Sequence, residues 1–416
     1  MVEEKDKKDK QISARLNRVY DEFDIKPYTP LLLSEQIIEK LSSMLTTQYF
    51  DSERHILVIS DCSLLIAVCR LLKNSNTKAK ISFLCHTKKQ KAFAAELLVP
   101  MDIYYLPYTD ISKTTESFFN REFKNMKFDV IIANPPYQAP ERNGTKKGGS
   151  SITLWPRFVK KSMEYLNEDG YLAMIHPCGW RAPNNELWRK LSTRQILYLD
   201  IHSEYTTKES GMKTFGVGTN YDWYVLKNSE NTMPTVVNDM YGKEYELNLT
   251  KWPWLPNAEF TIIDSLLSGD INTDIIHDGK YSTGNKRISL TKTKKFNLPI
   301  FLGLNNKTKE INVCFSSENV GHFGIPKVLC WGSRYVYCAI DLEGKYGINV
   351  QSFGIAAASI DIATEIKRAI ESNAFRQIIK STKWSNFQTN CNMFKYFKKD
   401  FYKTILEEEE KLKNAK

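Results

Sequence analysis

The chain has 416 residues, of which 42% are hydrophobic and 25% charged, and this ordinary globular composition argues against a disordered chain. A domain usually takes about 100–200 residues, so we expect two or three domains. The sequence holds no apolar run of the roughly 18–20 residues that a membrane span needs, and its charged N-terminus does not resemble a secretory signal. The eight cysteines are scattered without a C-x-x-C pair, so we expect reduced thiols and no bound metal.

The net charge of the chain is +10. Residues 251–416 contain 24 basic and 17 acidic residues, so most of the excess lies in the C-terminal part. A basic region of this kind can neutralise phosphates and release counterions, or it can simply form a soluble surface. Charge alone therefore does not distinguish a nucleic-acid-binding surface from a basic surface that only keeps the protein soluble.

The first half of the chain alternates two kinds of pattern. Residues 1–21 are polar and charged, and we expect a flexible tail there. Residues 31–46 space their apolar positions as an amphipathic helix does. Four short apolar runs then predict strands at residues 55–60, 81–85, 102–106 and 128–133. Strands that alternate with helices predict an α/β fold with a parallel sheet, whose ligands lie outside the carboxyl ends of the strands.

Beyond the fourth run, a polar, glycine-rich loop leads to a predicted helix that stops near Gly170. Further strands are predicted at residues 171–177, 196–202 and 221–227. From about residue 250 the pattern changes, because the segment KWPWLP breaks the alternation. We therefore predict a first domain over residues 22–250 and a second domain over residues 251–416, the latter ending in a helical run at 360–381.

The strongest functional signal is the segment N-P-P-Y at 134–137, directly after the apolar run at 128–133. The side-chain oxygen of Asn134 and the carbonyl of Pro135 can both accept hydrogen bonds from a planar amine such as that of adenine. These bonds would pull the nitrogen towards tetrahedral geometry and free its lone pair. Pro136 stiffens the loop and Tyr137 offers a ring face for stacking. A proline-rich turn that caps a buried strand is the alternative interpretation.

With this strand and loop, the sequence resembles the gamma-type adenine-N6 DNA methyltransferases of restriction-modification systems over roughly residues 25–230. The resemblance implies a Rossmann-like sheet that binds S-adenosylmethionine, followed by a C-terminal α+β domain for target recognition. The implied reaction is methyl transfer to N6 of an adenine flipped out of duplex DNA. The resemblance also implies a cognate restriction nuclease or partner subunit, and a cytoplasmic, nucleoid-associated location, or a host cell if a virus encodes the protein.

The resemblance further implies roles for particular residues. The family's N-terminal element, which holds the methionine end of the cofactor, is matched by Tyr28, Thr29 and Pro30. Asp110 falls where the family has an acid that binds the cofactor adenine, and Phe158 could contact the same ring. Phe215 matches a late aromatic residue that stacks on the target base together with Tyr137. A plain core aromatic residue is the alternative for Phe215.

Half of the expected cofactor site departs from the family pattern. The loop after the first strand usually carries an acid followed by G-x-G, but here Asp61 is followed by C-S-L without a glycine. The acid that normally bonds the cofactor ribose is replaced by the segment C-H-T at 85–87. Either Asp61 and the other matched residues hold S-adenosylmethionine more weakly, or the chain is a catalytically inactive, DNA-binding relative. Methylation of an RNA base or of a protein glutamine is a further alternative.

Candidate DNA contacts come from two regions. Lys146 and Lys147 lie in the loop G-T-K-K-G-G at 144–149, which does not match the phosphate-loop pattern and could equally be a solvated loop. In the C-terminal part, basic side chains are interleaved with aromatic and amide ones, and the expected DNA contacts include Arg334, Lys383 and Trp384. A helical scaffold with a solvated lysine face is the alternative.

Overall fold

The computed structural model describes residue 14 and residues 29–46, 48–73, 77–97, 99–139, 152–203, 211–216, 218–305, 307–332, 336–384 and 389–414. Apart from residue 14, the expected tail at 1–21 lies outside these ranges, as do Tyr28, Lys146, Lys147 and Arg334. The chain forms two compact units, Met1–Trp180 with Glu186–Trp252, and Arg181–Asn185 with Pro253–Lys416. The main division therefore falls close to the KWPWLP segment, whereas nothing in the sequence indicated the short piece at Arg181–Asn185.

The first unit alternates helices and strands. Its first half contains α1 (Leu31–Ser43), β1 (His55–Ile59), α2 (Cys62–Lys73), β2 (Lys80–Cys85), α3 (Lys88–Ala95), β3 (Met101–Tyr105), α4 (Ile111–Glu122) and β4 (Phe128–Ala133). Its second half contains α5 (Trp155–Tyr165), β5 (Leu166–Pro177), α6 (Glu186–Leu191), β6 (Arg194–His202), α7 (Gly211–Phe215), β7 (Tyr221–Glu230), β8 (Thr235–Asn238) and β9 (Glu244–Leu247). Short 3₁₀ helices cover Tyr49–Asp51, Cys178–Arg181 and Leu249–Lys251.

The nine strands form one sheet in the order β3-β2-β1-β4-β5-β7-β6-β8-β9. Strands β1 to β5 pair in parallel, whereas β7 runs antiparallel to both of its neighbours, β5 and β6. The order matches the doubly wound order 3-2-1-4-5-6, with β7 inserted between the fifth and sixth strands. This sheet confirms the predicted Rossmann-like α/β fold.

The centre of the sheet is formed by β1 and β4. Residues 56–59 and 130–133 are buried without interruption, and Ile59 pairs with Ala133 at the ends of the two strands. Continuous burial of successive residues is typical of a parallel strand whose two faces are both covered. The rigid centre of the sheet therefore carries the loops that follow β1 and β4.

One boundary in the first unit differs from the prediction. The helix that we expected to reach Gly170 ends at Tyr165, and β5 begins at once with Leu166. Leu166 is extended and pairs with Phe128, and both side chains are buried. Burial of Leu166 against the sheet thus overrides the helical pattern of the polar residues that follow it.

The second unit contains two four-stranded sheets, in the orders β10-β17-β14-β15 and β11-β13-β12-β16. Its elements are α8 (Phe260–Leu266), β10 (Ile275–Ile276), β11 (Ile288–Ser289), β12 (Leu298–Leu304), β13 (Ile311–Ser316), β14 (Lys327–Gly332), β15 (Val336–Asp341), β16 (Gly347–Ile348), β17 (Ser352–Ala356), α9 (Ile360–Ile370), α10 (Asn373–Ser381) and α11 (Phe401–Asn414). A 3₁₀ helix covers Cys391–Tyr396.

The helical run expected at 360–381 is divided into α9 and α10. The first helix ends at Ile370, and Ser372 caps the second, because its hydroxyl accepts a hydrogen bond from the backbone N–H of Phe375. In the part of the chain that the structure describes, no helix combines the length and the apolar character needed to cross a membrane.

Candidate active site

Two neighbouring strands bring the main candidate residues together. Asp61 follows β1 and Asn134 follows β4, and because these strands are parallel neighbours, both residues emerge at the carboxyl edge of the sheet. Thr29 lies just before α1 and reaches the same place, where its N–H and hydroxyl both donate to Oδ2 of Asp61 at 2.9 and 2.8 Å. The structure therefore joins three residues that are distant in sequence.

Asp61 is the N-cap of α2. Its Oδ1 accepts hydrogen bonds from the backbone N–H groups of Ser63 and Leu64 at 2.9 and 3.0 Å. The side chain is almost completely buried, and burial raises the pKa of Asp61 while the hydrogen bonds from Thr29, Leu64 and Asn134 oppose that rise. The family resemblance implies that the Thr29 hydroxyl holds the methionine end of the cofactor. In the structure this hydroxyl donates to the carboxylate of Asp61 instead.

The amide of Asn134 has a defined orientation. Its Nδ2 donates to Oγ1 of Thr29 at 3.1 Å and to Oδ2 of Asp61 at 3.3 Å. A carboxylate can only accept, so the NH₂ end must face Asp61 and the oxygen must face away. Oδ1 of Asn134 is buried and has no hydrogen-bond partner among the residues that the structure describes. The site therefore presents one free, buried acceptor.

The rest of the N-P-P-Y segment lines the same edge. Pro135 is buried, and Pro136 and Tyr137 are half-buried. The hydroxyl of Tyr137 is buried and bonds to none of the described residues. Burial raises the pKa of this hydroxyl well above its usual value, with further contributions from Tyr221 and Asp61. Tyr137 therefore points its hydroxyl inwards and keeps part of its surface accessible.

Phe215 lies at the end of α7 and belongs to an aromatic cluster. Its ring is buried and packs edge-on against Tyr221 with 4.8 Å between ring centroids. Tyr221 in turn stacks on His202 at 4.4 Å. Tyr221 also contributes to the raised pKa of the Tyr137 hydroxyl, so the cluster lies near the N-P-P-Y segment. The role of Phe215 in base stacking stays a prediction.

Other residues occupy the edge formed by β1, β2 and β3. His86 follows β2 and is bonded on both ring nitrogens, to Oγ of Ser60 at 2.5 Å and to the carbonyl of Leu106 at 2.8 Å. Phe158 is fully buried and packs edge-on against His86 at 6.0 Å. Asp110 is exposed at the start of α4, and its carboxylate bonds to no described residue. The roles of Phe158 and Asp110 towards the cofactor stay predictions.

Comparison with known proteins agrees with this arrangement. Residues 37–206 match the model of the Eco57I restriction-modification methylase family. This stretch of the chain is similar to the methylase domain of that family. A segment of 125 residues is 34% identical to an uncharacterized adenine-specific methylase of Mycoplasma pneumoniae. The match covers 30% of this chain and 29% of the length of that relative.

Solved structures with similar folds are distant. A putative class I S-adenosylmethionine-dependent methyltransferase of Listeria monocytogenes is 12% identical, with a TM-score of 0.38, covering 54% of this chain and 68% of its own. The M protein of the type I restriction enzyme EcoKI is 15% identical, with a TM-score of 0.36, and the match covers 55% of this chain and 51% of the M protein. The type IIG restriction endonuclease BpuSI is 10% identical, with a TM-score of 0.39, and the match covers 91% of this chain and 60% of BpuSI. The strand order, rather than these similarities, defines the fold of the methylase domain.

Sequence reasoning missed two features of the methylase domain. Ser60 has a left-handed backbone with φ of 71°, so the turn after β1 is made as a glycine would make it, although no glycine is present. Ser63, at the start of α2, is fully buried, and its hydroxyl has no partner among the described side chains and backbone groups. The available signal was their position directly beside the end of a central strand.

The structure contradicts two of the expected DNA contacts. Lys383 is 4% exposed, and its Nζ donates to the hydroxyl of Thr389 at 3.0 Å. Trp384 is 7% exposed, donates from Nε1 to the carbonyl of Leu255 at 2.8 Å and packs edge-on against Trp254. A contact with a phosphate or base needs an accessible side chain, so the prediction for these two residues is wrong.

The chemistry of the edge does not resemble a metal centre. Within the described ranges, no three His, Cys, Asp or Glu side chains are grouped so that they could hold a metal ion. The free groups are instead an amide oxygen on Asn134, hydroxyls on Ser63 and Tyr137, and the carboxylate of Asp110. Such groups suit hydrogen-bonded recognition of amines and carboxylates.

Proposed function

We propose that this chain transfers a methyl group from S-adenosylmethionine to N6 of adenine in duplex DNA. The observation that carries the proposal is Oδ1 of Asn134, which follows β4, is buried and has no partner in the described part of the chain. A buried acceptor without a partner costs about 1–3 kcal/mol, which suits a site built to receive a donor. The exocyclic amine of adenine is such a donor, and methylation at this nitrogen fits the adenine-specific name of the Mycoplasma relative.

We assign the following roles to the loop. Asn134 and the carbonyl of Pro135 accept hydrogen bonds from the amine, so that its lone pair is no longer shared with the purine ring. N6 is paired inside the duplex, so the base must leave the stack, at a cost of a few kcal/mol. The accessible part of the Tyr137 ring offers a stacking surface that offsets this cost, and Phe215 lies in the adjoining aromatic cluster.

The free groups of the edge fit S-adenosylmethionine. We assign its adenine amine to the exposed carboxylate of Asp110. The left-handed turn at Ser60 lets the chain leave β1 as a glycine would. When bound, the cofactor supplies an electrophilic methyl group on a sulfonium.

The experiment that tests the proposal is Asn134→Ala. We expect this variant to lose methyl transfer into duplex DNA by a factor of about 100 or more, because one preorganised hydrogen-bonding group is removed from the reacting centre. DNA affinity should change little. Gln138→Ala is the matched control, since Gln138 lies in the same loop with an exposed side chain. Transfer at the unaltered rate in Asn134→Ala would reject the proposal, and sequencing for N6-methyladenine in expressing cells would report the target.

A catalytically inactive, DNA-binding subunit is the second candidate. One observation favours it, namely that His86 and Asp61 stand at two cofactor positions with their side chains already bonded to protein. Calorimetry with S-adenosylmethionine, with and without a DNA duplex, separates the two candidates, because an inactive relative binds in neither case. Parallel assays of methyl incorporation into duplex DNA, RNA and protein address the other amine substrates.

The proposed partners are duplex DNA and a restriction nuclease or a partner subunit. The second unit is the proposed target-recognition domain, and its excess of basic residues suits a phosphate backbone. A DNA substrate requires a location where the protein can reach DNA. We therefore propose that it acts in the cytoplasm at the nucleoid, or in the host cell if a virus encodes it.

A further inference from the structure

The carboxylate of Asp61 has no acceptor capacity left for a ligand. A carboxylate offers about four lone-pair sites on its two oxygens. Oδ2 receives the N–H and hydroxyl of Thr29 and the NH₂ of Asn134, and Oδ1 receives two backbone N–H groups of α2. The residue is 1% exposed. Asp61 is therefore bonded entirely within the protein.

Thr29 completes a closed arrangement. Its hydroxyl has one proton, which it gives to Asp61 at 2.8 Å, so towards Asn134 it can act only as an acceptor. If the Asn134 amide turned over, Oδ1 would face a carboxylate oxygen and a hydroxyl oxygen that has no proton to offer. The reversed amide would also present NH₂ to the amine of the substrate, where two donors meet. One orientation of Asn134 is therefore strongly favoured.

We propose that Asp61 and Thr29 are positioning residues, which hold Oδ1 of Asn134 towards the amine of the substrate, and that Asp61 does not bind the cofactor. This inference rests on the proposed function. The rigidity comes from three elements, because Asp61 caps α2, Thr29 precedes α1 and Asn134 ends β4. Transfer depends on such positioning, and a small displacement of the acceptor is enough to slow it strongly.

The first variant is Asp61→Asn, which keeps the shape of the side chain and replaces one acceptor oxygen by an NH₂ donor. We expect turnover at saturating S-adenosylmethionine and DNA to fall about 10- to 100-fold. The dissociation constant for S-adenosylmethionine, measured by calorimetry, should change less than about threefold. This split between turnover and affinity distinguishes positioning from cofactor binding.

The second variant is Thr29→Val, which removes the hydroxyl at nearly constant volume. It tests the inference if Asp61→Asn does not fold. Turnover should fall by a similar factor, and Thr29→Ser should restore most of it. Thr235→Val is the matched control, since Thr235 is also fully buried with a bonded hydroxyl but lies in β8. Its turnover should equal that of the unaltered protein.

Two results would overturn the inference. One is a weakened affinity of Asp61→Asn for S-adenosylmethionine with unaltered turnover at saturation, and the other is unaltered turnover in Thr29→Val. If the unaltered protein methylates no substrate, the proposed function fails, but the held amide can still be tested. In protein labelled with ¹⁵N-asparagine, the side-chain amide protons of Asn134 should exchange slowly, and faster in Thr29→Val; equal exchange rates would contradict the inference by itself.

Discussion

Ser60 and His86 are joined by a hydrogen bond of 2.5 Å between Oγ and Nε2, which links the carboxyl ends of β1 and β2. The other ring nitrogen of His86 lies 2.8 Å from the carbonyl of Leu106, at the end of β3. A carbonyl only accepts, so Nδ1 carries the proton and Nε2 accepts from Ser60. A neutral histidine therefore joins three strand ends at the place where the family has a carboxylate.

The first prediction concerns pH. Complete burial lowers the pKa of His86 from 6.5 to about 4, although the bond to Leu106 opposes this. Above pH 6.5 neither state binds the proton, so the contribution of His86 to stability is fully present. As the pH falls towards about 4, the unfolded chain binds a proton at this histidine and the folded protein does not. The free energy of unfolding therefore decreases by up to about 3 kcal/mol.

The variant His86→Asn checks this prediction, because it keeps a donor for the carbonyl of Leu106 and does not titrate. Urea unfolding at a series of pH values should show a shallower loss of stability for the variant between pH 6.5 and 4. The difference in slope should approach 1.4 kcal/mol per pH unit. Parallel curves would mean that His86 binds a proton as readily in the folded protein as in the unfolded chain.

The second prediction compares two substitutions at Ser60. Its left-handed backbone costs a residue with a side chain about 1–2 kcal/mol, and glycine adopts it freely. Ser60→Ala and Ser60→Gly both lose the bond to His86, but only the glycine variant relieves the backbone. We therefore expect Ser60→Gly to be the more stable of the two by about 1 kcal/mol in chemical denaturation. Equal stabilities would show that the turn is unstrained.

The third prediction concerns Tyr137. Its hydroxyl is buried without a partner in the described ranges, so Tyr137→Phe should raise the free energy of unfolding by about 1 kcal/mol. Tyr221→Phe is the matched control, since the hydroxyl of Tyr221 lies 3.1 Å from Oγ1 of Thr214, and that variant should lose about 1 kcal/mol. Thermal and urea unfolding of both variants provide the measurement. A loss of stability in both would mean that the hydroxyl of Tyr137 is solvated or bonded.

Several parts of the fold could be read from the sequence because they depend on local pattern. The apolar runs ending at Ile59 and Ala133 predicted two central strands, and the prolines after the second run predicted a stiff loop there. The sequence lacks a glycine after Asp61, and the glycine-like backbone of Ser60, which precedes Asp61, could not be predicted from it. Lys383 and Trp384 were wrongly expected to contact DNA, since composition does not reveal which side of an element is buried.

The sequence by itself determined the alternation of strands and helices and the placement of N-P-P-Y at the end of a buried strand, because periodicity and turn residues act over a few neighbours. Only the tertiary structure decided the partners of that segment. Asp61 and Asn134 are 73 residues apart and meet because β1 and β4 are neighbours in the sheet, and Thr29 is held there by its two hydrogen bonds to Asp61. Strand order thus places Asp61 and Thr29 beside the amide, and the direction in which Oδ1 of Asn134 points follows from that contact.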